Sequence, residues 1–271
     1  MTQSNAINKL LDIMRQLRDP KKGCPWDKKQ TFASIATHTL EEAYELVDAI
    51  SEKDNEEIKG ELGDLLFHIV FYAQIGKEQS LFDFDDIVDC VSEKLIRRHP
   101  HVFKDKLFLS DKEIEANWEK EKSIERQQKD ATSFSVLDNI PKALPALNRA
   151  YKIQKRASSV GFDWDDLKPV VDKIKEELDE VLVEVRRQDL SLTQKQLRIE
   201  DELGDLMFAT VNLVRHLKSN PESTLRQANN KFEQRFRLVE RHVHAQGKTM
   251  QDCSLSELDA IWDTVKKELN S

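Results

Sequence analysis

Two stretches, Glu176-Glu177-Leu178-Asp179-Glu180 and Asp201-Glu202-Leu203-Gly204-Asp205, decide how this 271-residue chain reads. Glu177 and Glu180 are three apart, as are Glu202 and Asp205. On a helix, residues at i and i+3 share a face. Two antiparallel helices joined by the short intervening segment therefore aim four carboxylates at one place. Like charges so gathered repel, so the arrangement calls for a compensating cation. Hard oxygen ligands suit Mg²⁺, with Mn²⁺ as a substitute.

The rest of the chain supports helices around these two. Glycine and proline number seven each, few for this length, and runs rich in Leu, Glu, Lys, Arg and Ala favour helix. No alternating strands flank an Asn-Gly or Asp-Gly turn. The fold class is therefore all-α. The net charge of −8 excludes a general electrostatic nucleic-acid binder. No apolar run approaches the roughly 18 residues of a membrane span, and no signal peptide precedes the first helix. Cys24, Cys90 and Cys253 are scattered and odd in number, which reads as reduced thiols in a cytoplasmic protein.

Periodicity predicts helices over about 5–18, 31–52, 55–77, 84–98, 111–128, 142–157, 169–188, 194–218, 222–245 and 254–269. The second helix is expected to bury Leu40, Tyr44, Val47 and Ile50, and Thr39-Leu40-Glu41-Glu42 fits a capping box. Pro100 is expected to end the fourth helix, between His99 and His101. Helical periodicity lapses over 130–140, which reads as a linker between domains at 1–129 and 141–271.

The second domain repeats the first. Gly23-x-x-Trp26-Asp27 matches Gly161-x-x-Trp164-Asp165, and Glu41-Glu42-x-x-Glu45 matches Glu176-Glu177-x-x-Glu180. Glu61-Leu62-Gly63-Asp64 matches Glu202-Leu203-Gly204-Asp205, Lys94-x-x-x-Arg98 matches Lys231-x-x-x-Arg235, and Trp118 matches Trp262. The order is kept, which points to duplication of one helical unit. A weaker, second metal site thus falls at Glu42, Glu45, Glu61 and Asp64. The copies differ beside the carboxylates. Lys173 and Arg198 stand four residues before Glu177 and Glu202, where the first copy has His38 and Glu57. Cations there favour an anionic substrate, so the second copy is the better phosphate site. Lys231 and Arg235 add a point charge and a fork for phosphates. Trp262 can stack on a nucleobase, whereas Trp26 and Trp164 read as core anchors. Gly63 and Gly204, unfavourable inside helices by about 1 kcal/mol, suggest close helix packing beside the carboxylates or, less specifically, a bend. Together these features point to hydrolysis of a nucleoside polyphosphate.

Glu-Glu-x-x-Glu followed by Glu-x-x-Asp, with Cys24-Pro25-Trp26-Asp27, Arg97-Arg98-His99-Pro100-His101-Val102-Phe103 and Lys152-Ile153-Gln154-Lys155-Arg156, resembles the two-domain bacterial form of the MazG family of all-α nucleoside triphosphate pyrophosphohydrolases. The resemblance implies two tandem MazG-like helical domains forming bundles completed by homodimerisation. It implies conversion of ribo- and deoxyribonucleoside triphosphates to the monophosphate and pyrophosphate, with Mg²⁺, chiefly in the second copy. Carried over by motif, Glu177, Glu180, Glu202 and Asp205 would bind metal. Lys173, Arg198, Lys231 and Arg235 would grip phosphates, Trp262 would contact the nucleotide, and Lys122 would add a cation. Family members often have Lys at the position of Arg198. Glu176 is a candidate general base; the alternative is a metal-bound hydroxide that needs no separate base. The family is linked to nucleotide-pool cleansing and starvation responses. Two other readings stand beside this one. A di-iron bundle would use Glu-x-x-His, which is absent here. A helical adaptor would use the charged faces to meet partner proteins.

Overall fold

The computed structural model describes residues 4–104, 107, 108, 110–129 and 135–269. These contain eleven α-helices and two 3₁₀ turns, and no strand. The chain divides into two compact units, Met1–Gln128 and Lys129–Ser271. Residues 130–134 of the expected linker lie outside the described residues. Of its remainder, the 135–140 turns are tied to the second unit, because Arg156 donates to the carbonyls of Val136 and Asp138 and Ile140 is buried.

The first unit holds α1 (Ser4–Leu17), α2 (Phe32–Glu52), α3 (Asn55–Glu78), α4 (Phe84–Arg98), the single-turn α5 (Pro100–Phe103) and α6 (Asp111–Lys129). Met14, Ile35, Val70, Phe71 and Ile75 form its core between α1, α2 and α3. Arg18, at the end of α1, is buried among them. Its guanidinium reaches Glu78 on α3 at 2.6 Å and the carbonyl of Asp27 at 2.6 Å. A planar fork of five donors suits such a site, where a lone ammonium would leave acceptors unmet. Gly23 closes the turn after α1; a Cβ there would lie 2.4 Å from the carbonyl oxygen of Leu17, so no side chain fits.

Several local expectations change in the structure. Thr39 caps nothing. It lies inside α2, donates to the carbonyl of Ile35 and pairs with the Tyr72 hydroxyl at 2.8 Å. The capping box belongs to Thr31 and Ser34, at the true start of the helix. Pro100 ends α4 and also opens α5 as its first residue, a position where the missing N–H costs nothing. Leu40, Tyr44 and Ile50 are exposed rather than buried, and Ala49 is the buried residue of that turn. Trp26 and Trp164 are each about half exposed, so neither is a core anchor. Apart from the adjoining residues and backbone of its own helix, no atom among the described residues lies within 4 Å of a Cβ placed on Gly63 or Gly204, so neither marks close packing within this chain.

The second unit holds α7 (Ala146–Ser158), α8 (Leu167–Arg186), α9 (Leu192–His216), α10 (Pro221–Ala245) and α11 (Leu255–Glu268). α8 and α9 form a helical hairpin and share the most extensive packing of any helix pair. Ser191 and Gln194 form a capping box at the start of α9, which fixes where the hairpin turns. α7 packs against α9, and α10 touches both α7 and α9 while pairing with α11 through Val239, Val243 and Val265. The hairpin leaves Leu178, Leu182, Val185, Leu203 and Met207 exposed.

Candidate active site

The register of the α8–α9 hairpin brings Glu177, Glu202 and Asp205 together, with carboxylate oxygens all within 4.8 Å of one another. Glu180 adjoins them. A hydrogen bond shared with Glu177, loss of water, and the charges of Glu177 and Glu202 hold its carboxyl above the usual range. Acids that share protons in this way are ones a divalent cation can relieve, and the donor set is all oxygen, as Mg²⁺ prefers. These four residues therefore fit the ion. Lys173, one turn before Glu177, contacts its carboxylate at 2.7 Å and that of Glu176 at 2.9 Å. These two carboxylates, Glu177 foremost, raise the lysine above its ordinary value, so it stays charged.

Beside the cluster opens a cavity of about 710 Å³, within the range of small-molecule sites. Lys173, Glu177 and Asp205 line one part of it. Trp164, Phe162, Phe208 and Ile153 supply apolar surface, and Gln154 and Asn212 supply amide groups. Trp164 is held there by the neighbouring loop. Gly161 adopts φ +87°, open chiefly to glycine. Asp163 is then clamped by Arg215 at 2.5 Å and by the His216 ring at 3.0 Å. Loss of water pushes the Asp163 carboxyl up, but hydrogen bonds from Arg215 and His216 outweigh it and hold it below the usual range.

The other expected residues stand elsewhere. Arg198 is exposed on α9, one turn before Glu202. Lys231 and Arg235 lie on α10, with Lys231 exposed and the Arg235 Nε buried without a partner among the described residues. Trp262 packs into the α10–α11 core and tilts against Phe232. None of these four lines the cavity. In the first unit, Lys122 sits 4.8 Å over the Trp118 ring and pairs with Glu119.

The first copy gathers Glu42, Glu45 and Glu61 in the same way, with Asp64 close enough to act on Glu42 and Glu61. Desolvation first, then neighbouring carboxylates and a hydrogen bond between the two, leave Glu61 above its usual range, and desolvation followed by Asp64 and Glu45 does the same for Glu42. His38, in the place of Lys173, pairs with Glu41 at 3.6 Å and meets the Trp26 ring edge-on. Arg98, the counterpart of Arg235, is already engaged: it and Arg97 each hold Glu125 at 2.5 Å.

Sequence reasoning missed Gln154, Phe162, Asn212 and Phe208 as cavity residues and set Trp164 in the core. The Gly-x-x-Trp motif signalled Trp164, and Gln154 stands in the Lys152–Arg156 motif, but neither motif says that its residues line a cavity.

The model of the MazG nucleotide pyrophosphohydrolase domain matches this chain twice, over residues 30–103 and 167–244. The chain belongs to the MazG family. It is 53% identical to the nucleoside triphosphate pyrophosphohydrolase of Escherichia coli K12, over 97% of this chain and 98% of that one. It is 42% identical to the nucleoside triphosphate pyrophosphohydrolase/pyrophosphatase MazG of Thermotoga maritima, over 96% and 95%. A third relative, the Mycobacterium tuberculosis nucleoside triphosphate pyrophosphohydrolase, is 34% identical over 59% of this chain and 48% of its own. Both MazG matches include a carboxylate hairpin, α2–α3 in one and α8–α9 in the other.

Proposed function

We propose that this protein hydrolyses nucleoside triphosphates, ribo- and deoxyribo-, to the monophosphate and pyrophosphate, and that its second domain, 141–271, does so. The observation that carries the reading is the cluster of Glu177, Glu202 and Asp205 beside Lys173, at the edge of a nucleotide-sized cavity. Nearly full-length likeness to the E. coli and T. maritima enzymes supports the reaction.

Glu177, Glu180, Glu202 and Asp205 are assigned to hold Mg²⁺, with Mn²⁺ as a substitute. The ion, when bound, supplies charge neutralisation for the phosphates and lowers the pKa of a nearby water. Lys173 neutralises phosphate charge. Arg198, Lys231 and Arg235 are assigned to the outer phosphates, and Trp262 to the nucleotide from beyond the cavity. Glu176, hydrogen-bonded to Lys173 at 2.9 Å, is assigned to take the proton of the attacking water. The water oxygen bonds to the α-phosphorus as the bond from that phosphorus to the β-bridging oxygen breaks. Pyrophosphate leaves with the electron pair.

The first domain, 1–129, keeps the carboxylates at Glu42, Glu45, Glu61 and Asp64. Its arginine fork is occupied by Glu125, which supports a weaker site there. The apolar face of α8 and α9 around Leu178, Leu182 and Met207 supports a homodimer, since such patches are normally covered. Among the described residues no helix is long and apolar enough to cross a membrane. Its three cysteines are free, which supports action in the cytoplasm. Glu202→Gln tests the site. Mg²⁺-dependent turnover of ATP should fall at least about 100-fold with an unchanged circular dichroism spectrum. Full activity in that variant would remove the carboxylates from the mechanism.

A further inference from the structure

Asp163, in the loop between α7 and α8, accepts two hydrogen bonds from the Arg215 guanidinium, at 2.9 and 2.5 Å, and one from the His216 ring at 3.0 Å. Asn212 Oδ1 steadies the same guanidinium, at 2.9 and 2.8 Å. Asp163 also accepts from the backbone N–H of Trp164 at 3.0 Å. The side chains of Asp163, Arg215 and His216 are 26%, 12% and 14% exposed, so water screens this clamp less than it would a surface pair. A bidentate arginine–carboxylate pair fixes direction as well as distance, and Trp164, next in sequence, is fixed with it. Asp163, Trp164, Asn212 and Arg215 all line the cavity.

The first unit folds without this clamp. Counted from Gly23 and Asp64, the matches of Gly161 and Asp205, the places of Asp163, Asn212, Arg215 and His216 hold Pro25, Phe71, Gln74 and Ile75. Phe71 and Ile75 belong to the buried core there, and Gln74 turns to Glu78 on its own helix. The carboxylate hairpin α2–α3 forms all the same. Positions that fill a core in one unit therefore carry polar groups beside a cavity in the other. Such groups cost desolvation that apolar core residues do not, and a departure of this kind from the best packing is the mark of a functional site.

We propose that Asp163, Arg215 and His216 are positioning residues of the second domain: they hold the α7–α8 loop so that Trp164 already stands at the cavity wall when the nucleotide enters. The inference rests on the triphosphatase reading above and deepens it. The clamp reads no base and acts through Trp164. A wall fixed before binding spares the complex the ordering of a loop. Its loss therefore weakens binding rather than slowing the chemical step, and does so equally for every base.

The test is a double-mutant cycle on the full-length protein with Mg²⁺, built from Arg215→Gln, which installs the residue type of the first unit, and Trp164→Ala. Arg215→Gln alone should raise KM for ATP about tenfold with kcat within about threefold. GTP and UTP should show the same rise, and Mn²⁺ binding without nucleotide should be unchanged. Added to Trp164→Ala, Arg215→Gln should shift KM by less than about twofold more, because the residue it acts through is gone. Additive effects overturn the proposal; they are the result if Arg215 meets the substrate itself or only stabilises the fold. So does an unchanged KM in either single variant. Should Arg215→Gln fail to fold, Asp163→Asn, which keeps an acceptor for the Trp164 N–H, takes its place in the cycle, and additivity there overturns the proposal equally. Absence of turnover by the wild type with every triphosphate would refute the hydrolase reading instead. Equilibrium dialysis of ATP then reads the same cycle as dissociation constants, and additivity among those overturns the clamp.

Discussion

Glu125→Gln tests whether the fork of the first copy is engaged by the protein itself. Arg98 reaches both oxygens of Glu125, at 2.5 and 3.1 Å, and Arg97 contacts one at 2.5 Å. The hydrogen bond from Arg98, partly opposed by loss of water and then reinforced by that from Arg97, lowers the Glu125 carboxyl to about 2. A drop from 4.5 to about 2 corresponds to about 3 kcal/mol at 1.36 kcal/mol per unit. The carboxylate is 15% exposed, but Arg97 is 41% exposed, so solvent screening reduces the expected contribution to about 1–2 kcal/mol. The sign follows from the depressed value. This stability is fully present above about 4.5 and is lost as the pH falls through about 2. Urea denaturation of the wild type and Glu125→Gln, followed by the fluorescence of the full chain, should differ by about 1–2 kcal/mol at pH 7. The gap should shrink between pH 4.5 and 2. An equal gap at every pH would refute the ion-pair reasoning and leave only a packing effect.

Other outcomes follow from the second unit. Trp164→Ala should raise KM for ATP by about 10- to 100-fold with a smaller change in kcat, since base–aromatic stacking is worth about 1–3 kcal/mol; steady-state kinetics check this. Lys173→Met should lower kcat/KM by at least about 100-fold yet leave Mn²⁺ binding without nucleotide undiminished, because it removes a cation beside the carboxylates; electron paramagnetic resonance titration reads the free ion. Leu178→Asp should convert a dimer to monomer in sedimentation velocity, by placing an unpaired charge on the apolar α8 face; an unchanged sedimentation coefficient would place the interface elsewhere.

The helices were legible because their apolar and charged residues recur at helical spacing. The carboxylate clusters were legible for a related reason. Spacing of i, i+3 on two helices with a short turn leaves few registers, and duplication removed chance as an explanation. What escaped the sequence was set by tertiary contacts. Thr39 carries a cap-like pattern, but Thr31 had already started the helix, so Thr39 spends its hydroxyl on Ile35 and Tyr72. The apolar positions of α2 were read as core because periodicity cannot tell a face buried within the chain from one left for a partner. Gln154 stands in the Lys152–Arg156 motif, but the motif does not say what its amide meets. That is set by the Phe208 carbonyl, 54 residues away, which takes its donor.

The central claim, attack at the α-phosphorus by the carboxylate site of the second domain, is tested most directly by the products. Purified protein with ATP and Mg²⁺ should yield AMP and pyrophosphate, and none without the ion. In ¹⁸O-labelled water the label should enter AMP alone. Formation of ADP and phosphate, or label in pyrophosphate, would contradict the account.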